Sequence, residues 1–174
     1  MIKRGLYISI LLVILFYFGS CERPSKQLWN DSKIEDRVID SAELLSSTQE
    51  ENLFKLIEEL EKSVGSQIAV VIINTLHGQD INQYSIQKSE DLSLGRDLYN
   101  DGVLITVAYQ DRKTRIEVGY GLEKILKDEV TAQIIREQML PKFREQKVYE
   151  GIYESVSAIK KLVEENKKLV GQKP

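Results

Sequence analysis

The sequence predicts an α/β fold, a three-layer α/β/α sandwich in which a mixed sheet carries helices on both faces. Three observations lead there. Ile68-Ala69-Val70-Val71-Ile72-Ile73 and Val103-Leu104-Ile105-Thr106-Val107-Ala108-Tyr109 are continuous apolar runs rich in β-branched residues. A strand covered on both faces needs such a run, because neither row of side chains meets water. Thr114 to Val118 alternates instead, as a half-exposed strand does. Helical periods precede, separate and follow these runs, which is the pattern of a layered α/β domain.

The elements follow in order. Ser46-Ser47-Thr48-Gln49-Glu50 starts a helix, with Ser47 and Glu50 at capping-box spacing. Leu53, Leu56, Ile57, Leu60 and Val64 keep the helical period, and Gly65 ends it. Asp80 starts a second helix with Ile81, Tyr84 and Leu92 among its apolar residues, and Gly95 ends its regular part. The two buried strands that flank this helix are expected to be parallel, with a right-handed crossover. Gln110-Asp111-Arg112-Lys113 is a polar turn, so the alternating strand after it is expected to pair as a hairpin with the strand before it. Gly119-Tyr120-Gly121 breaks the chain. A third helix is expected from about Asp128 to Met139, stopped by Pro141. The last helix carries Ile152, Val156, Ile159 and Val163 on one stripe; beyond Glu164 the chain is polar, lysine-rich and expected to fray.

The N-terminus reads as an address. Lys3 and Arg4 precede an apolar run from Gly5 to Phe18, and Gly19-Ser20 supply small residues before Cys21, the one cysteine of the chain. This is the layout of a secretory signal peptide, and Phe18-Gly19-Ser20-Cys21 resembles the lipobox of bacterial lipoproteins, with Phe18 where an aliphatic residue is usual. An uncleaved span is the plainer alternative, but the run reaches about 20–25 Å against a hydrocarbon core of about 30 Å. A cleaved secreted protein is the other. The expected organisation is a lipoprotein signal peptide over residues 1–20, a lipidated tether over 21–35, an α/β/α domain over 36–165 and a polar tail over 166–174. The chain is then anchored through a lipid on Cys21 to the non-cytoplasmic side of a membrane, periplasmic or surface-exposed.

Charge narrows the partners. Removing residues 1–20 removes Lys3 and Arg4 and no acid, which takes the formal charge from −3 to −5. Nucleic acid calls for a basic face and is not an expected partner. With one cysteine no intrachain disulfide forms, so core packing alone must stabilise the domain.

Three stretches stand out: Val38-Ile39-Asp40-Ser41-Ala42-Glu43-Leu44-Leu45-Ser46, Asn100-Asp101-Gly102-Val103-Leu104-Ile105-Thr106-Val107-Ala108 and Arg115-Ile116-Glu117-Val118-Gly119-Tyr120-Gly121-Leu122-Glu123. They resemble the TPM domain family of envelope, thylakoid-lumen and extracellular domains. Pro141-Lys142-Phe143 followed by Gly151 fits the C-terminal part. The resemblance covers about residues 36–165. It implies an α/β/α fold and, in some members, divalent cation binding; a plant member is described as an acid phosphatase, and many bacterial members have no established activity. It therefore licenses fold better than function.

A candidate site follows from the expected hairpin. Asp101, just before one strand, lies at the same sheet end as Gly119-Tyr120-Gly121-Leu122-Glu123, just after the other. Asp128 is near along the chain, Glu117 is near that end, and Asp40 joins if the segment before the first helix folds back. Such carboxylates suit a hard cation, Ca²⁺ or Mg²⁺, and glycine at 119 and 121 lets backbone approach closely. A bound cation would polarise a phosphoryl oxygen or activate a water. The same residues also read as turn and surface acids.

Other enzyme templates are missing. There is no EF-hand loop, P-loop or G-x-G-x-x-G, so no nucleotide cofactor is expected. There is no G-x-S-x-G and no D-x-D-x-T or D-x-D-x-V. His77, the one histidine, stands before Gly78 and reads as a loop residue. The sequence thus points to a membrane-anchored envelope lipoprotein that binds a divalent cation and other envelope components. The alternative is a metal-assisted acid phosphatase acting on phosphomonoesters outside the cytoplasm.

Overall fold

The computed structural model of the chain describes residues 34–172. The expected signal segment, Cys21 and most of the tether lie outside these described residues. A helical turn, α1 (Ile34–Arg37), leads into a short strand, β1 (Val38–Asp40). Three residues are too few for a period to register, which is why β1 is absent from the sequence expectations.

Asp40 organises the next stretch. Its carboxylate accepts from the backbone N–H groups of Leu44 and Leu45 at 2.7 Å each and of Ala42 at 3.1 Å. Helix α2 (Ser47–Val64) is capped one residue before the expected cap. Ser46 is the N-cap: its hydroxyl accepts from Gln49 N, while Gln49 Oε1 accepts from Ser46 N at 2.9 Å. The capping box that forms is Ser46 with Gln49, in place of the expected Ser47 with Glu50. Ser46→Ala is expected to lower unfolding stability by about 1 kcal/mol, read from the midpoint of a urea titration. Gly65 closes the helix at φ 89°, as expected.

Strand β2 (Gln67–Ile73), helix α3 (Ile81–Asp91) and strand β3 (Gly102–Ala108) follow. Asp80 caps α3, accepting from the backbone N–H groups of Asn82 and Gln83. After the four-residue turn 109–112, β4 (Lys113–Val118) returns antiparallel to β3, with Val103 opposite Val118. The sheet order is β1-β2-β3-β4, and β1, β2 and β3 are parallel.

The sheet's side-chain alternation divides the interior into two layers. Ile68, Val70 and Ile72 join Val103, Ile105 and Val107 on one face, under Leu53, Ile57 and Leu60 of α2. Ala69, Val71 and Leu104 face the other way, against Tyr84, Leu92 and Leu94. The mixed sheet is thus covered on both sides, as the two apolar runs require. The strands are added in one direction, whereas α2 and α3 lie on opposite faces. The two crossovers therefore have opposite hands, and the right-handed rule holds for one of them.

Helix α4 (Asp128–Ile134), a π turn (Ile135–Met139) and α5 (Leu140–Arg144) form one continuous helical path. Pro141 does not stop it. In a regular helix its ring collides with the carbonyl four residues back. Here the turn before it is widened, with Leu140 N bonded to Ile135 O, and Pro141 occupies the start of α5. Helix α6 (Val148–Glu165) buries the expected stripe of Ile152, Val156, Ile159 and Val163. The tail does not fray. Leu169 and Val170 pack against the main core, and Gly171 N donates to Gly121 O at 2.9 Å. The packed domain thus extends past residue 165. No helix among the described residues is long and apolar enough to cross a membrane.

Candidate functional site

The hairpin brings the expected segments to one end of the sheet. Gly119 N donates to Gly102 O at 2.8 Å, and Gly121 N donates to Asn100 O at 2.9 Å. The approach is as close as the glycines suggest: a Cβ on Gly119 would stand 2.3 Å from Asn100 O.

Asp101, however, points into the protein. It is fully buried, at 0% exposure. Its Oδ2 accepts from Arg96 Nε at 2.9 Å, from Arg96 Nη2 at 2.5 Å and from Ser66 Oγ at 3.2 Å. Its Oδ1 accepts from Arg96 N at 2.9 Å. The Arg96 guanidinium also donates to Val64 O and lies over the Tyr99 ring, 3.9 Å from its centroid. Asp101 is thus the anchor of an ion pair that ties the loop before β3 to the end of α2. A buried carboxylate needs such compensation.

The other acids disperse. Asp40 stands level with Ile72 and Val107, five residues along β3 from Gly102, which is about 17 Å at strand rise. It belongs to the opposite end of the sheet, where it holds the turn into α2. Asp128 is exposed in the first turn of α4, where an acid favours the helix dipole. Glu117 and Glu123 do share a hollow of about 360 Å³ between α3 and β4, together with Asn100, Tyr120 and Glu90. Glu117 is already engaged, its Oε2 accepting from Arg115 Nε at 2.7 Å. Among the described residues no three His, Cys, Asp or Glu side chains gather closely enough to hold a metal ion. The five carboxylates Asp40, Asp101, Glu117, Glu123 and Asp128 therefore do not form one donor set. Glu90 joins the hollow from a helix face that carried no site signal in the sequence.

A larger opening lies at the opposite end. A cleft of about 730 Å³ separates the β3–β4 turn from α5. Val107 and Ala108 form part of its wall, with Leu140 and Phe143 facing them from α5. Arg112 comes from the turn, Lys113 from the start of β4 and Arg144 from the end of α5; no acid lines it. In the sequence Arg112 and Lys113 belong to one polar turn and Arg144 lies more than thirty residues further on, with no pattern that joins them.

A family model described as the TPM domain matches residues 38–162. The chain belongs to the TPM domain family. Solved structures agree with the fold. The solution structure of the N-terminal domain of a P. gingivalis protein is 27% identical, with a TM-score of 0.71, covering 82% of this chain and 90% of that one. The N-terminal domain of the cg2496 protein from Corynebacterium glutamicum is 15% identical, with a TM-score of 0.59 over 75% of this chain and 81% of that one. The BA42 protein from Bizionia argentinensis is 20% identical, with a TM-score of 0.61 over 72% and 86%. No curated protein matches. In this TPM domain the Asn100-Asp101-Gly102 segment resolves into parts with different duties: Asp101 anchors the loop, and Gly102 admits the backbone of 94–95 within 3 Å of where a Cβ would stand.

Proposed function

We propose that this TPM domain is a lipid-anchored component of the cell envelope, tethered on the non-cytoplasmic side through Cys21, that works by binding other envelope components. The observation that carries binding over turnover is Asp101. Phosphomonoester hydrolysis requires a group free to activate water or to hold the metal that does so. The carboxylate best placed by sequence for that duty is fully buried and occupied by Arg96 and Ser66. A divalent cation, Ca²⁺ or Mg²⁺, has no gathered set of three donors among the described residues; the hollow that Glu117 and Glu123 share would hold one only if Glu117 released Arg115 and the acids around it closed in.

Two signals support the anchor: the apolar run after Lys3 and Arg4, and the small residues before Cys21. Cells expressing the full chain are expected to incorporate a palmitate label into it, and Cys21→Ser is expected to incorporate none. An unlabelled wild-type chain, or equal labelling of the two, overturns the anchor.

A further inference from the structure

We infer that the cleft between the β3–β4 turn and α5 is a docking site for an acidic peptide segment of a partner protein. The inference rests on the reading that the domain works by binding.

Charge is the first argument. The chain carries a formal charge of −3, yet Arg112, Lys113 and Arg144 line this cleft without an acid. The acids next to it in sequence are turned away and engaged. Asp111 accepts from Thr75 Oγ1 at 3.1 Å and from Leu76 N at 2.6 Å. Glu145 accepts from Lys147 Nζ at 2.6 Å. Arg112 and Arg144 are thereby left for a ligand, while Lys113 also feels the Asp80 carboxylate at the start of α3.

Backbone strain is the second. Arg112 has φ 51° and Gln146 φ 62°, and both line the cleft, one from each wall. Left-handed positions favour glycine or asparagine, and a bulky side chain held there costs of order 1 kcal/mol. Both residues stand at chain reversals, Arg112 in the β3–β4 turn and Gln146 just after α5, and both line the opening.

The ligand class follows from the lining. Arg112 and Arg144 are exposed, and one oxyanion on an exposed arginine gains little, about 0–1 kcal/mol. A ligand must combine several charges with apolar contact to be held. Phe143 and Leu140 offer that contact; Phe143 is itself backed by α6, where only glycine at 151 leaves its ring room. Gln110 and Gln146 add amides able to pair with a peptide backbone. Carboxylates spaced along a peptide, with apolar residues between them, answer all three features.

Placement agrees. The chain enters the domain at α1, where Arg37 pairs with Glu61, and Gln67 at the start of β2 donates to the same carboxylate. The cleft lies at the other end of the parallel strands, at Ala108–Lys113.

The test is fluorescence anisotropy with the full chain in detergent micelles. The probe is a fluorescein-labelled, end-capped peptide of alternating glutamate and leucine. Saturable binding is expected, weakened about tenfold or more by the R112E/R144E pair, with an unchanged thermal melt. Arg144→Gln alone, expected to weaken binding about threefold, serves if the charge-reversed pair does not fold. The matching lysine–leucine peptide is expected not to bind. Absence of saturable binding, or equal binding by the variants, overturns the proposal. Displacement by inorganic phosphate at equal charge concentration makes this a small-anion site, and displacement by phosphatidylglycerol vesicles makes it a membrane contact; either overturns the peptide assignment. The titration does not depend on lipidation, so loss of the anchor and loss of the peptide site are separately visible.

Discussion

Asp101→Asn is expected to lower the thermal midpoint by about 10 °C, and by the same amount in Ca²⁺ and in EDTA. Four donors converge on this carboxylate: Arg96 Nε, Arg96 Nη2, Arg96 N and Ser66 Oγ. An asparagine amide places a donor among donors and removes the charge that balances Arg96. Removing one partner of a buried pair costs about 3–5 kcal/mol. Arg96 is 34% exposed on its side chain, so water relieves part of its loss, and the lower end of that range applies. A domain of this size shifts by about 3 °C per kcal/mol, which gives the stated drop. Two results would contradict it. One is a variant that melts with the wild type. The other is a Ca²⁺-dependent rise of the wild-type midpoint that the substitution abolishes, because it would mean that Asp101 is free to hold the ion.

The same substitution shows which part of the site was legible in sequence. That Asp101 and Glu123 lie at one end of the sheet follows from the hairpin, since two strands joined by a four-residue turn must bring their far ends together. Which way Asp101 points does not follow. Its direction is set by Arg96, five residues earlier, and by Ser66 at the end of another helix, and no periodicity encodes such a partnership. Asp40 failed to join because the hidden strand β1 runs parallel to β2 and carries it to the far end.

Fold was easier for a physical reason. A strand buried on both faces must be apolar at nearly every position, so β2 and β3 announce themselves despite Gln67 and Thr106. The pattern fades where tertiary contact decides. β1 is three residues long. Pro141 is carried through by a π turn that no local rule requires. The lysine-rich end looked solvated, yet Leu169 and Val170 find the core and Gly171 bonds to Gly121. The cationic cleft was unreadable for the same cause: its two walls meet only after β4 and α5 have packed.

Gly121→Ala tests how tightly that meeting of loops is set. A Cβ at this position would stand 1.8 Å from Tyr99 O and 3.1 Å from Asn100 O. Both neighbours are backbone, so no side chain can swing aside. Relief requires moving the loop that Asp101 and Arg96 anchor, or moving Gly121 itself. Gly121 N donates to Asn100 O, and Gly121 O accepts from Gly171 N, both at 2.9 Å. Leu122, the next residue, is fully buried. One methyl group thus strains the loop before β3, the turn after β4 and the docked tail together. Overpacking against a side chain costs about 1–3 kcal/mol; against immovable backbone, about 3 kcal/mol or more is expected, a fall of about 10 °C. Gly78→Ala is the control. Nothing lies within 4 Å of its Cβ, and only its φ of 86° opposes the change, so a loss of about 1–2 kcal/mol is expected. Proton exchange at the Gly171 amide should quicken in Gly121→Ala and stay unchanged in Gly78→Ala. If the two variants melt together, the approach of residues 99–100 to 121 is looser than the hydrogen bonds across it require, and the tail is held by Leu169 and Val170 alone.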